Sequence, residues 1–326
     1  MAVELFYLIT EIVIAVLAVF GNGLVIWVIY QNKRLQTITN YFILSLAVAD
    51  FLVGSLAIPF AILTSYGLPA NFEACLFMLS FLLGLCASST FSLIGVSVDR
   101  YIAIVHPLRY HSYMTTKSAV AMIAASWFIA MIIGTLPMMG WNLGRPEEPQ
   151  CFFMDVIAME YMFFNFIVAI IVPLVVMLIL YSIIFNTARK QIRSIAALEV
   201  HMPNKNDRGR GTKKELKAAK SLAVIIIFFM VCWFPIYIID TLFLFCPESC
   251  QVPLQLLYFS IFISHGNSAL NPILYGFGRD FRAAYKRFFL GLCPCCKTLS
   301  CCQDDPRKPS EGQTNSSHEM SVMRVR

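Results

Sequence analysis

Seven long apolar runs dominate this chain, at roughly 5–30, 39–65, 74–99, 118–140, 159–185, 220–245 and 253–277. A helix that crosses a bilayer needs about 20 mostly apolar residues, because its backbone polar groups must find partners within the segment itself. Each run is that long, and polar or turn-rich segments separate them. Membrane β-strands would alternate in character and span about ten residues, a pattern the chain lacks. The runs therefore predict an all-α membrane protein, with a short N-terminal segment over 1–6 and a seven-transmembrane helix bundle over 7–277. Composition agrees: 58% of the 326 residues are apolar, 13% are charged, and the mean hydropathy is +0.70. Soluble domains run nearer about 45–50% apolar and about 25% charged. An ordinary soluble enzyme, a disordered chain and a nucleic-acid-binding domain are thereby excluded. The net charge of +6 does not reverse this, because the basic residues lie in the segments between the runs. The first run lacks a basic start and a small-residue cleavage site and is too long for a signal core, so it is expected to persist as a helix.

Lysine and arginine set the orientation. With the N-terminus outside, the outer loops hold only Arg145, and the other 24 of the 25 basic residues fall on the inner side. The acidic Glu73, Glu147, Glu148, Asp155 and Glu248 then lie outside. Cys75, at the outer end of the third run, and Cys151, in the second outer loop, both face an oxidising space, which permits a disulfide. Cys246 and Cys250 flank the third outer loop and form either a second bridge or two free thiols. A basic amphipathic stretch over 279–291 reads as a short eighth helix along the membrane, followed by an inner tail over 292–326. Cys293, Cys295 and Cys296, with Cys301 and Cys302 behind them, point to palmitoylation and so to lipid contact, zinc being the alternative. The single Asn-x-Ser/Thr match, at Asn315, falls in that inner tail, out of reach of glycosylation. The third inner loop, about 193–214, and the tail from about 303 are expected to be mobile.

Charges inside membrane spans are costly and mark functional sites by default. Here they are Glu11 in the first span, Asp50 in the second, Asp99 and Arg100 ending the third, Asp240 near the outer end of the sixth, and His265 in the seventh. Around them stand Asn22, Leu46-Ala47-Val48-Ala49-Asp50, Asp99-Arg100-Tyr101, Trp127, Pro173 with Tyr181, Cys232-Trp233-Phe234-Pro235 and Asn271-Pro272-Ile273-Leu274-Tyr275, one set per span and in this order. From about residue 7 to 291 the chain resembles a rhodopsin-like G protein-coupled receptor. The resemblance implies a sodium site at Asp50, Ser89, Asn267 and Asn271, for which a water-filled polar network is the alternative. It also implies an inner-face switch of Asp99, Arg100, Tyr101, Tyr181 and Tyr275, in which Arg100 reaches Glu215 at the start of the sixth helix. No other cofactor is implied.

Finer stretches are similar to the adenosine receptors: Asn40-Tyr41-Phe42 through Ala57-Ile58-Pro59-Phe60-Ala61-Ile62, Pro137-Met138-Met139-Gly140-Trp141-Asn142, and Ser264-His265-Gly266-Asn267-Ser268-Ala269-Leu270-Asn271-Pro272. The match implies a plasma-membrane receptor for adenosine or a related nucleoside. Phe153 would stack on the purine. Ser264 and His265 would grip the ribose, and Glu11 would pair with His265. Leu83, Met162, Asn165, Trp233, Ile236 and Ile261 would form walls, although packing alone also explains the apolar ones.

The base end departs from that pattern. Asp240 stands where the family has Asn and Met154 where it often has Glu; beyond these, Cys86 stands where the third helix usually offers a Thr near the ribose, and Tyr237 replaces a sixth-helix His. Adenine presents the N7 acceptor beside the 6-amino donor, and an Asn amide meets both. An ionised Asp only accepts, whereas a protonated Asp would imitate Asn. The expected ligand is thus adenosine at reduced potency, or a relative whose edge presents mainly donors.

Other classes fit less well. An opsin needs a lysine in the seventh span, and there is none between Lys220 and Lys286. Amine receptors need an acid in the outer half of the third span, where Leu82 stands. A transporter or channel would show internal repeats, and an intramembrane enzyme would show a catalytic motif; neither appears. Agonist binding is expected to shift the population toward a state open to a heterotrimeric G protein, and the short basic third loop favours the cyclic-AMP-raising type.

Overall fold

The computed structural model describes residues 2–199, 224, 227–243, 245–246, 252–276 and 279–292. Their elements are α1 (Ala2–Gln31), α2 (Ile38–Ser65), α3 (Phe72–Val105), α4 (Thr116–Thr135), α5 (Met159–Gln191), α6 (Ile227–Phe243), α7 (Leu254–Gly276) and α8 (Arg279–Leu292). The first five are long and apolar enough to cross a membrane. The described part of α6 is shorter, and α7 buries a polar stripe of Ser260, Ser264, His265, Asn267, Ser268 and Asn271. β-pairing among the described residues is confined to two isolated bridges. Residues Met1–Tyr285 form one compact unit and Lys286–Arg326 another, with α8 beginning in the first. Helix α1 starts at Ala2, inside the segment read as an N-terminal extension. Helix α4 stops at Thr135, ahead of a 3-10 turn at Pro137–Met139. The first residues expected in the third inner loop, 193–199, instead continue the helix of α5, which runs to Glu199. The rest of that loop, the inner tail, Glu215 and the cysteines from Cys293 onward lie outside the described residues.

Local chemistry sets the helix ends. Asn71 caps α3 by accepting from the Ala74 amide at 2.9 Å, and Thr115 and Ser118 form a reciprocal box at the start of α4. Proline shapes the middles. Pro59 and Pro173 cannot donate to the helical ladder, and a π turn precedes each, at Val53–Ala57 in α2 and Phe166–Ile171 in α5.

Of the five long apolar spans, α3 is the most enclosed. Its Gly84 meets Gly134 of α4 so closely that a Cβ on Gly134 would lie 2.4 Å from the Gly84 Cα. Trp127 of α4 donates to Ser45 of α2 at 3.0 Å, and Ser45 pairs with Ser92 of α3 at 3.0 Å, tying three helices at one depth. Large apolar side chains such as Phe20, Trp27 and Phe128 remain exposed on the outside of the bundle, as expected of faces turned to lipid. At the outer end, the Cys75–Cys151 disulfide fastens the second outer loop to α3. The Cys151 amide also donates to Gly67 at 2.9 Å, and Gly67 has φ +73°, a conformation that disfavours any side chain. These two anchors place Phe152 and Phe153 over the bundle. Cys246 is disulfide-bonded, and Cys250 lies outside the described residues.

Candidate functional site

A cavity of about 350 Å³ opens between the helices beneath the second outer loop. That lies within the range of about 300–1,000 Å³ usual for small-molecule sites. Its lining includes Leu83 of α3, Phe153, Met162 of α5, Trp233, Ile236 and Asp240 of α6, and Ile261, Ser264 and His265 of α7. Nine of the eleven residues expected at a ligand site therefore meet around one space.

The other two act from behind the wall. Glu11 of α1 is fully buried, and its Oε2 lies 2.8 Å from His265 Nδ1. A carboxylate accepts, so Nδ1 must carry a hydrogen, and Nε2 is the nitrogen left for other partners. Ser264 Oγ donates to the Ile261 carbonyl at 2.7 Å, which leaves the hydroxyl an acceptor toward the cavity. Asn165 departs from its expected place on the wall. It is 2% exposed, and its Nδ2 donates to the Tyr237 hydroxyl at 3.0 Å. Tyr237 lies flat on Phe166, with centroids 4.8 Å apart and planes 18° apart, and its side chain, unlike that of Asn165, lines the cavity.

Asp240 lines the cavity at 7% exposure. Among the described residues it has no hydrogen bond and no ion pair. Cys86, Met154 and Tyr237, the remaining departures from the adenosine-receptor pattern, share the lining. Several lining residues carried no signal in the sequence. Tyr7 of α1 and Tyr258 of α7 stack with centroids 4.3 Å apart and close the cavity on that side. Thr64, Ser65 and Phe152 also reach it.

Below the cavity, Asp50 is fully buried. It accepts from Ser89 at 3.0 Å, Ser268 at 2.8 Å and Asn271 at 2.7 Å. Ser268 was not foreseen, and Asn267 makes no bond to Asp50. The buried Oδ1 atoms of Asn267 and Asn271 have no partner, and neither does the Trp233 Nε1.

At the inner face, Arg100 donates to Asp99 Oδ2 through Nε at 2.9 Å and Nη2 at 2.5 Å. Thr39 of α2 donates to the same oxygen at 2.7 Å and also contacts the Arg100 guanidinium. Tyr110, in a short helix after α3, donates to Asp99 Oδ1 at 2.8 Å. Burial, and then the Asp99 charge, push the Tyr110 hydroxyl up to about 12. Thr39 and Tyr110 thus complete a clamp of which the sequence revealed only Asp99 and Arg100. Tyr101 packs on the Ile104, Ile184 and Ala188 cluster that joins α3 to α5. Tyr181 and Tyr275 are buried with unpartnered hydroxyls, and the Tyr275 ring lies 5.9 Å from that of Phe281 in α8.

The arrangement has the organisation of a receptor: an outer cavity, a buried polar relay, and a clamped arginine at the inner end of α3. Comparison with known proteins gives the same answer. Residues 21–275 match the model of the 7 transmembrane receptor (rhodopsin family). The chain is 44% identical over 297 residues to adenosine receptor A2a of Homo sapiens, covering 86% of this chain and 71% of that protein. It is 43% identical over 297 residues to adenosine receptor A2a of Canis lupus familiaris, with the same coverage of 86% and 71%. It is 41% identical over 315 residues to adenosine receptor A2b of Gallus gallus, covering 90% of each. The chain belongs to the rhodopsin family of seven-transmembrane, G protein-coupled receptors, and within that family to the adenosine receptors.

Proposed function

We propose that this receptor sits in the plasma membrane with its N-terminus outside, binds adenosine or a close nucleoside relative in the outer cavity, and acts through a heterotrimeric G protein that raises cyclic AMP. The observation that carries the reading is the meeting in one cavity of an aromatic lid, Phe153, with a hydroxyl and an imidazole, Ser264 and His265, the latter set by Glu11. A flat base under Phe153 and a polyhydroxylated sugar against Ser264 and His265 match those two ends. Ser264 accepts from a sugar hydroxyl, and His265 offers Nε2 to another. Asp240 accepts from an exocyclic amino group on the base.

Activation follows from the same residues. A ligand resting on Trp233 changes the packing of that ring against Tyr237 and Phe229, whose centroids each lie 6.0 Å from it. Pro235, two residues along α6, weakens the helix there, so repacking can tilt its inner half. Agonist stabilises whichever arrangement it fits better, and the population shifts. At the inner face, Arg100 must leave Asp99 and Thr39 to meet a G protein.

Asp50, Ser89, Asn267 and Asn271 would hold a sodium ion. The fit rests on one buried carboxylate with two buried amide oxygens that lack partners, all hard donors suited to such an ion. Sodium there would neutralise Asp50 and favour the resting packing. Cys293, Cys295 and Cys296 are proposed as acylation sites, on the grounds that they directly follow the amphipathic α8. The test of the receptor reading is cyclic AMP in transfected cells exposed to adenosine, inosine, guanosine, cytidine and adenine. A response to adenosine that Ser264→Ala and His265→Ala both weaken is expected. Silence toward every nucleoside, with the receptor present at the surface, would overturn it.

A further inference from the structure

We propose that Asp240 makes the base-reading end of the cavity an acceptor-only site, so that it prefers purine-like nucleosides presenting two adjacent N–H donors over adenine's donor beside an acceptor. This inference rests on the nucleoside reading above and sharpens it to a ligand class.

Three observations converge. Asp240 is 7% exposed and faces the cavity, yet among the described residues no protein group donates to it. Among the described residues the lining holds no lysine or arginine, and its histidine is already engaged with Glu11, so the described wall offers Asp240 neither a cation nor a donor. Met154, which shares the lining from the outer loop, brings a thioether and no charge to the cavity. A buried carboxylate without partners is unfavourable, so the ionised, acceptor-only state is the one that a ligand supplying donors stabilises.

Carboxylate geometry defines the match. Two oxygens side by side accept two parallel N–H bonds, as they do from a guanidinium fork. Adenine's 6-amino group supplies one such hydrogen, but N7 turns a lone pair toward the second oxygen. Replacing N7 by C–H removes that repulsion. Placing a hydrogen on ring position 7 converts it into a second hydrogen bond. The preferred class is therefore 6-amino nucleosides with N–H at position 7. Sites built around a polar pair discriminate strongly against ligands that leave one partner unmatched.

The test uses ligand-induced thermal stabilisation of the purified full-length receptor, which does not depend on the coupled G protein. The probes are adenosine, 7-deazaadenosine, with C–H at position 7, and 9-deazaadenosine, with N–H there. In the parent, affinity is expected to rise from adenosine through 7-deazaadenosine to 9-deazaadenosine, with at least about tenfold between the ends, the share of one hydrogen bond to a charged group. In Asp240→Asn, adenosine is expected to lead. The parent's own ranking decides the matter even where the variant folds poorly. Adenosine binding tighter than 9-deazaadenosine in the parent would overturn this inference and leave the receptor reading standing. Absence of binding by all three would overturn both.

Discussion

Removing Glu11 isolates the contribution of one buried contact to ligand recognition. Its Oε2 lies 2.8 Å from His265 Nδ1, with Glu11 fully buried and His265 5% exposed, so solvent screens the pair little. The carboxylate fixes the hydrogen on Nδ1 and holds the ring so that Nε2 can face the cavity. In Glu11→Ala the imidazole loses its tautomer and its orientation together. A hydrogen bond to a charged group contributes about 1.5–3 kcal/mol. At about 1.4 kcal/mol per tenfold, full transmission to the ligand corresponds to a potency loss of about 10- to 150-fold. Glu11→Gln keeps an oxygen that accepts from Nδ1, so its loss should stay below about tenfold. Because Glu11 acts through His265, the double variant Glu11→Ala with His265→Ala should be no weaker than His265→Ala alone. The assay is an adenosine concentration–response series normalised to receptor at the cell surface. A Glu11→Ala receptor indistinguishable from the parent would refute the reasoning, as would a double variant whose loss is the product of the two single losses.

Four further outcomes follow from the packing and its polar contacts. Gly134→Ala drives its Cβ into the Gly84 backbone at 2.4 Å and toward the Ser80 carbonyl at 2.9 Å, where no side chain can swing aside. A cost of about 1–3 kcal/mol is expected, read as a lower melting temperature of the solubilised receptor. Gly266→Ala, with nothing within 4 Å of the added carbon, should be neutral or gain the helix preference of about 0.5–1 kcal/mol. Tyr110→Phe removes the 2.8 Å bond to Asp99 and should raise ligand-free cyclic AMP, and an unchanged basal level would show that the clamp does not restrain the resting state. Asp50→Asn should abolish any effect of sodium on agonist affinity, and persistence of that effect would place the ion elsewhere.

The helices were legible in the sequence because lipid imposes one rule on every span: about 20 apolar residues with internally satisfied backbone. The π turns at Val53–Ala57 and Phe166–Ile171 were not, although Pro59 and Pro173 marked the places. Intramembrane charges made Glu11, Asp50, Arg100, Asp240 and His265 conspicuous one by one. What the sequence withheld was closure. Tyr7 and Tyr258 lie at opposite ends of the chain, and only the packing of α1 on α7 turns them into one wall. Ser268 looks like any other helical serine until the rotation of α7 aims it at Asp50. Tyr110 reads as a loop aromatic until the chain after α3 folds back on Asp99. Asn165 shows the converse: its position in the pattern pointed to the cavity, and in the structure its Nδ2 is taken up by the Tyr237 hydroxyl.

Saturation binding of labelled adenosine to the purified receptor in lipid nanodiscs, beside His265→Ala, tests the central claim most directly. Saturable binding is expected in the parent, with a loss of about tenfold or more in the variant at matched thermal stability, the share of a hydrogen bond from the sugar. Equal affinity in the two proteins, or no saturable binding in the parent, would contradict the placement of a nucleoside between Phe153 and His265.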